Sequence, residues 1–207
     1  MSFAEKAFSA DLTSTDTFRA GRAHALIGMV ATVAGQFSIA ERELELAHAG
    51  LQGDPYWLSY LHRRWAHWWL SKGTGARQSA QALLHAQQSA NYYRHETNLK
   101  GADAGLALQL LAVAQARNKQ IEEATASMAL GCQWIDTALP KSHPHHLRCE
   151  AYSILLAPEG VAGRVGMADL LKRSNADALL ARDLVTAAQW HQRNAAKPNW
   201  QSFPFLN

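Results

Sequence analysis

Helix-breaking residues divide this chain into helix-length stretches joined by links that leave room for little but an immediate reversal. The breaks are Gly35, "GLQGDP" from Gly50, "KGTG" from Lys72, "NK" at Asn118, "LPKSHPHHL" from Leu139 and "PEGVAG" from Pro158. Between them no segment alternates apolar and polar residues long enough to make a strand, and proline occurs only six times in 207 residues. With Ala, Leu, Gln and Arg plentiful, the pattern predicts an all-α chain. The length admits one domain or an array of small helical units, with enough chain to bury a core.

The capping signals set the expected boundaries. "STDT" at Ser14 to Thr17 starts a helix that runs to about Ala34, and a second covers Phe37 to Ala49. Asp54 caps the next, with Pro55 at its first position, where a missing N–H costs nothing, and this helix continues to Ser71. A long helix follows through about His95, then a pair at Leu99 to Arg117 and Gln120 to Thr137. Ser142 is the expected cap of a helix ending near Leu156, and Met167 to Arg173 make a short one. "SNAD" at Ser174 reads as a capping box for a last helix to about Gln192. The tail "AAKPNWQSFPFLN", with two prolines and three aromatics, is expected to be non-helical. Each pair of helices carries apolar residues on more than one face, so it needs neighbours on both sides.

The first pair carries a specific motif. Ile27, Gly28, Gly35, Phe37, Ala40, Leu44 and Ala47 resemble the spacing of a tetratricopeptide repeat. Gly28 and Ala40 lie where the two helices would cross, Gly35 at the turn, and Phe37 at the end of the pair. His24 stands at the family's first aromatic position, Ala31 at its tyrosine, and the closing proline is displaced to Pro55. A third pair repeats the spacing with Leu111, Ala112, Ile121, Ala124, Met128 and Gly131. If Gly73 matches Gly35, then Trp65, Ala66 and Trp69 take the corresponding places in the second pair. The resemblance implies antiparallel helix hairpins stacked as an α-solenoid of about four hairpins, one domain over 1–207. Its best unit is 21–54, weaker units are 56–95, 99–137 and 142–173, and a terminal helix 175–193 and tail 194–207 complete it.

Four of the seven tryptophans fall between Trp57 and Trp69. Trp57, Leu61, Trp65, Trp68 and Trp69 form a wide apolar stripe, and core is the leading reading for Trp65 and Trp69, against the small Ala31 and Ala34 of the first pair. Tyr60, Arg63 and His67 lie on another stripe. The resemblance makes this the face that lines a concave groove, to which the same register adds Arg22, Met29 and Thr32, and Gln109, Val113 and Arg117. The partner groove is therefore Arg22, Met29, Tyr60, Arg63, His67, Gln109 and Arg117, suited to an acidic peptide through guanidinium contacts. The lysine–asparagine carboxylate clamp used by some members of the family is absent from the sequence.

Little else points to chemistry. His143, His145, His146 and Cys149 are the most ligand-like cluster, but Pro144 fixes the backbone between two of the histidines, and a polar loop is the expectation rather than a metal site. Glu41, Glu43 and Glu45 read as ordinary solvation. No phosphate loop, nucleophile elbow or HExxH pair occurs, so no catalytic residue, metal or cofactor is assigned. Cys132 and Cys149, the only cysteines, are expected to be reduced and buried. No apolar run approaches the ~20 residues of a membrane span and no secretory leader is evident, so the expected location is cytoplasmic.

A net charge of +3 is too small to argue for nucleic acid by itself, although Pro55 to Asn118 hold seven Lys/Arg against two acids. A protein-interaction scaffold that binds a protein or peptide is the first functional expectation. A small-molecule-binding protein or enzyme with an aromatic pocket around the 56–72 helix is the alternative. Nucleic acid ranks last.

Overall fold

A computed structural model describes residues 12, 15–95, 101–157, 161–174, 178–194 and 196–206. Among these the secondary structure is entirely helical. The helices are α1 (Thr17–Val33), α2 (Phe37–Leu51), α3 (Pro55–Lys72), α4 (Ala76–His95), α5 (Ala102–Arg117), α6 (Ile121–Ala138), α7 (Pro144–Leu156), α8 (Val161–Arg173) and α9 (Ala178–Asn194), followed by a 3-10 turn at Trp200–Ser202. No helix among the described residues is long and apolar enough to cross a membrane.

Caps fix most of the starts. Asp16 Oδ1 accepts from the Phe18 and Arg19 amides, and Asp54 Oδ1 accepts from Trp57 N at 3.1 Å. At α7 the cap is His143, not Ser142: its Nδ1 accepts from the His145 amide, and Pro144 takes the first helical position. The helix expected from Met167 begins earlier, at Val161. Gly163 and Gly166 look like breakers in the sequence, but Gly166 is where the side chain of Ile154 approaches, 3.0 Å from where a Cβ would stand. The "SNAD" box falls largely outside the described residues.

Consecutive helices pack on one another, most extensively α1 with α2, α3 with α4 and α5 with α6. Helices two apart also touch, α1 with α3, α3 with α5 and α7 with α9. The first and third pairs close in the same way. Gly35 N donates to Thr32 O and Gln36 N to Ala31 O; Lys119 N donates to Ala116 O and Gln120 N to Gln115 O. Both turns pass through the left-handed region, at φ 74° for Gly35 and 64° for Lys119, two of a kind with the helix-ending turn that glycine favours. Close crossings accompany them. A Cβ on Gly28 would lie 2.8 Å from the Leu44 side chain, and one on Gly105 would lie 2.8 Å from Gly131 O. Gly73, matched to Gly35 in the sequence, is instead extended (φ 164°, ψ −177°), so the α3–α4 link does not repeat the left-handed turn.

The core falls into a part around α1–α3, with Leu44, Leu51, Leu61 and Trp68, a larger part from α3 to α9 with Leu108, Met128, Tyr152, Leu155, Leu184 and Phe203, and a small one where Tyr93 of α4 meets Ala104 and Ala107 of α5. Of the α3 indoles only Trp68 is fully buried, and its Nε1 donates to Phe37 O at 3.0 Å. Trp65 and Trp69, expected in the core, are half-buried at its edge, where they meet the Trp68 ring edge-on. Glu43 is not a solvated residue. It is buried beside Ala40, Leu44 and Ala47, and its carboxylate meets His24 Nδ1 and an Arg42 nitrogen, each at 2.7 Å.

Cys132 of α6 and Cys149 of α7 are joined as a disulfide with their Cα atoms 5.7 Å apart, not left as two thiols. The sequence separation gave no sign of it, since the packing of α6 on α7 is what brings the two side chains within bonding reach.

Candidate functional site

The face shared by α3, α5, α7 and α9 is crossed by the chain's own tail. Phe203 is fully buried there, with its ring 5.3 Å from Trp190, 5.9 Å from Trp200 and 6.1 Å from Tyr152. Phe205 meets His67 edge-on at 4.9 Å, and Leu206 is buried beside Tyr152. Such contacts alone describe a hydrophobic cap. The polar contacts add direction. Arg117 Nε donates to Phe203 O at 2.9 Å, Tyr152 Oη accepts from Leu206 N at 2.8 Å, and Asn194 Oδ1 accepts from Asn199 N at 2.9 Å. Side chains from α5, α7 and α9 therefore hold the main chain of the tail at three points on either side of its 3-10 turn, while aromatic side chains surround Phe203 and Phe205.

Arg117 is the hinge of this arrangement. Only 5% exposed, it also donates through one terminal nitrogen to Leu70 O at 2.8 Å and Gly73 O at 3.2 Å, which ties the end of α3 to the tail. Burial pulls its guanidinium down to about 10, still protonated at neutral pH. Carbonyl oxygens rather than a carboxylate surround it, so the charge is met by dipoles. Burial also holds the Tyr152 hydroxyl well above the usual phenol range, so it stays protonated as it accepts from Leu206 N.

Two cavities flank the tail. The larger, about 570 Å³, opens between the α1–α2 turn and α9, with Thr32, Phe37, Arg117, Gln189, Trp190 and Phe205 among its walls. The smaller, about 190 Å³, lies between α3, α5, α7 and the end of the tail. Arg63, Arg64, His67, Gln109, His145 and Arg148 supply its polar wall.

The residues expected to share one groove divide among these places. Arg63, His67 and Gln109 come together in the smaller cavity, and Arg117 borders the larger one. Arg63 is 4% exposed and pairs with Asp103 Oδ1 at 2.7 Å. Gln109 lies with its Nε2 3.0 Å from Cys149 Sγ. Tyr60 is buried next to them and accepts from an Arg64 terminal nitrogen at 2.7 Å. Arg22 and Met29 line neither cavity. Arg22 is exposed and stacks over Trp57 at 4.8 Å, and Met29 is half-buried on α1.

Arg64, His145, Arg148, Tyr152 and the tail were missed. His145 and Arg148 stand three apart on α7 and so share a face, a signal the sequence did contain. His143, His145, His146 and Cys149 do not converge. His143 caps α7, His145 faces the smaller cavity, His146 reaches Leu139 O and Asp136, and Cys149 is taken by Cys132. Among the described residues no group of three or more His, Cys, Asp or Glu is placed to hold a metal. Comparison of the chain with protein-family models, with curated proteins and with solved structures finds no significant match in any of the three.

Proposed function

We propose that the protein is a divergent tetratricopeptide-like array whose stacked hairpins serve as a protein-interaction module. The partner would be a segment of another protein, received beside the tail where the larger cavity opens between the α1–α2 turn and α9. The single observation that carries this reading is the way the tail is held: three side chains grip its main chain and aromatic pockets take Phe203 and Phe205. A surface that binds one peptide segment through backbone hydrogen bonds and aromatic anchors has the attributes of a peptide-recognition face. The matching turns at Gly35 and Lys119 and the glycine crossings of the first and third pairs support the repeat architecture beneath it.

The cavities leave the partner two places to bind, and the larger is open enough to accept several side chains beside the tail. Arginines on these walls favour a partner with acidic groups. None of the four α3 indoles lines either of these two cavities.

Site-specific photocrosslinking of the full chain in its native cell tests the interaction reading. A probe at Gln189, exposed on the wall of the larger cavity, is expected to capture a discrete protein, whereas one at the exposed Glu123 of α6 is not. Equal capture from both positions, or none from Gln189, would remove it.

A further inference from the structure

We propose that the smaller cavity is a binding site for a small oxyanion, a phosphate or carboxylate group held chiefly by Arg64 and Arg63. It stands on the lining of this cavity alone and does not depend on a partner using the neighbouring face.

Three arginines and two histidines line the space, and no carboxylate does. Two of the arginines have acids behind them: Arg63 pairs with Asp103, and Arg148 with Asp183 at 3.1 Å. Arg64 differs. Among the described residues its hydrogen-bond partner is the neutral Tyr60 hydroxyl, and its guanidinium lies over the Tyr60 ring at 4.3 Å. Three guanidinium charges against two carboxylates leave one positive charge over in the walls of a partly buried cavity. Among the described residues the Nε atoms of both Arg63 and Arg64 are buried without an acceptor, so neither guanidinium is fully satisfied by the protein. An anion in the cavity would supply the counter-charge that the walls lack.

The surroundings sharpen the selection. Leu106, Leu110, Phe205 and Leu206 make the rest of the wall apolar, which lowers the local dielectric and strengthens any charge pair formed inside. The positive field is felt by His145, pulled down to about 4 by burial first and then by Arg148 and other nearby cationic groups. At about 190 Å³ the space is below the roughly 300 Å³ at which pockets for drug-sized ligands begin, so it fits a phosphate or a small dicarboxylate and not a nucleotide. Guanidinium forks match the paired oxygens of either group, and the tail residues Phe205 and Leu206 form one side of the site.

Isothermal titration of the full-length protein with inorganic phosphate and, separately, with succinate, in chloride buffer of matched ionic strength, tests this. Saturable one-to-one binding of at least one anion is expected. Arg64→Gln should weaken it at least tenfold, and Arg77→Gln, an exposed change on α4, should leave it unaltered. Binding of phosphate alone assigns the site to phosphate groups, and binding of succinate alone to carboxylates. A second measurement needs no variant: phenylglyoxal labelling of Arg64 in the native protein, located by peptide mass mapping, should slow when the bound anion is present. No heat with either anion together with unchanged labelling, or equal affinity in Arg64→Gln and the native protein, would overturn the proposal.

Discussion

Lys119 occupies a backbone position that its side chain disfavours. At φ 64° its Cβ crowds the neighbouring carbonyl, a conformation costing roughly 1–2 kcal/mol for an L-residue, and the first pair places Gly35 at the same point of the same turn. Glycine relieves the strain but frees the unfolded chain, so Lys119→Gly is expected to raise the unfolding free energy by only about 0.5–1 kcal/mol in urea titrations. His85 offers a test of opposite character. Burial, then the neighbouring His62 and His48, hold it near 4 instead of the ordinary 6.5, and His62 is lowered too. A histidine whose folded value is depressed binds its proton more readily when unfolded. Its stabilising contribution is therefore complete above about 6.5 and declines as the pH falls toward 4. With allowance for partial exposure, the loss is roughly 1–2 kcal/mol, and His85→Phe should flatten the dependence of the urea midpoint on pH over that interval.

At the scale of elements, most boundaries were legible because they are set by neighbours in sequence. Asp54 and Pro55 start α3 as expected, and the turns after α1 and α5 end where breakers stand. What failed needed information from elsewhere in the fold. Glu43 read as solvated beside Glu41 and Glu45, yet the helical period puts it among Ala40, Leu44 and Ala47, and His24 on α1 supplies the partner that lets it stay there. The beginning of α8 was hidden by two glycines that read as breakers, one of which, Gly166, lies where the Ile154 side chain approaches. The disulfide was hidden more deeply, since nothing local distinguishes a thiol that will meet another helix from one that will not. Disulfides persist chiefly in oxidising compartments, so this pairing lends no support to the expected cytoplasmic location.

For the whole molecule, the candidate site was legible in its parts and not in its assembly. Arg63, His67, Gln109 and Arg117 were all identified as facing one way, but the segment that joins them to α7 and α9 comes from 86 residues beyond Arg117. The tail covers the apolar face of α9 and continues across α5, α7 and α3. Phe203→Ala should therefore destabilise the molecule as a large core truncation does, by about 3–5 kcal/mol in thermal or chemical unfolding. A loss below 1 kcal/mol would mean that the tail rests on the surface without contributing to its stability. The order of synthesis gives the same contacts another meaning. Every partner of Trp200–Leu206 is made before that segment is, so on the ribosome α3, α5, α7 and α9 wait with their shared apolar surface open. During that interval the nascent polypeptide carries this surface without its covering segment, and emergence of the tail supplies it.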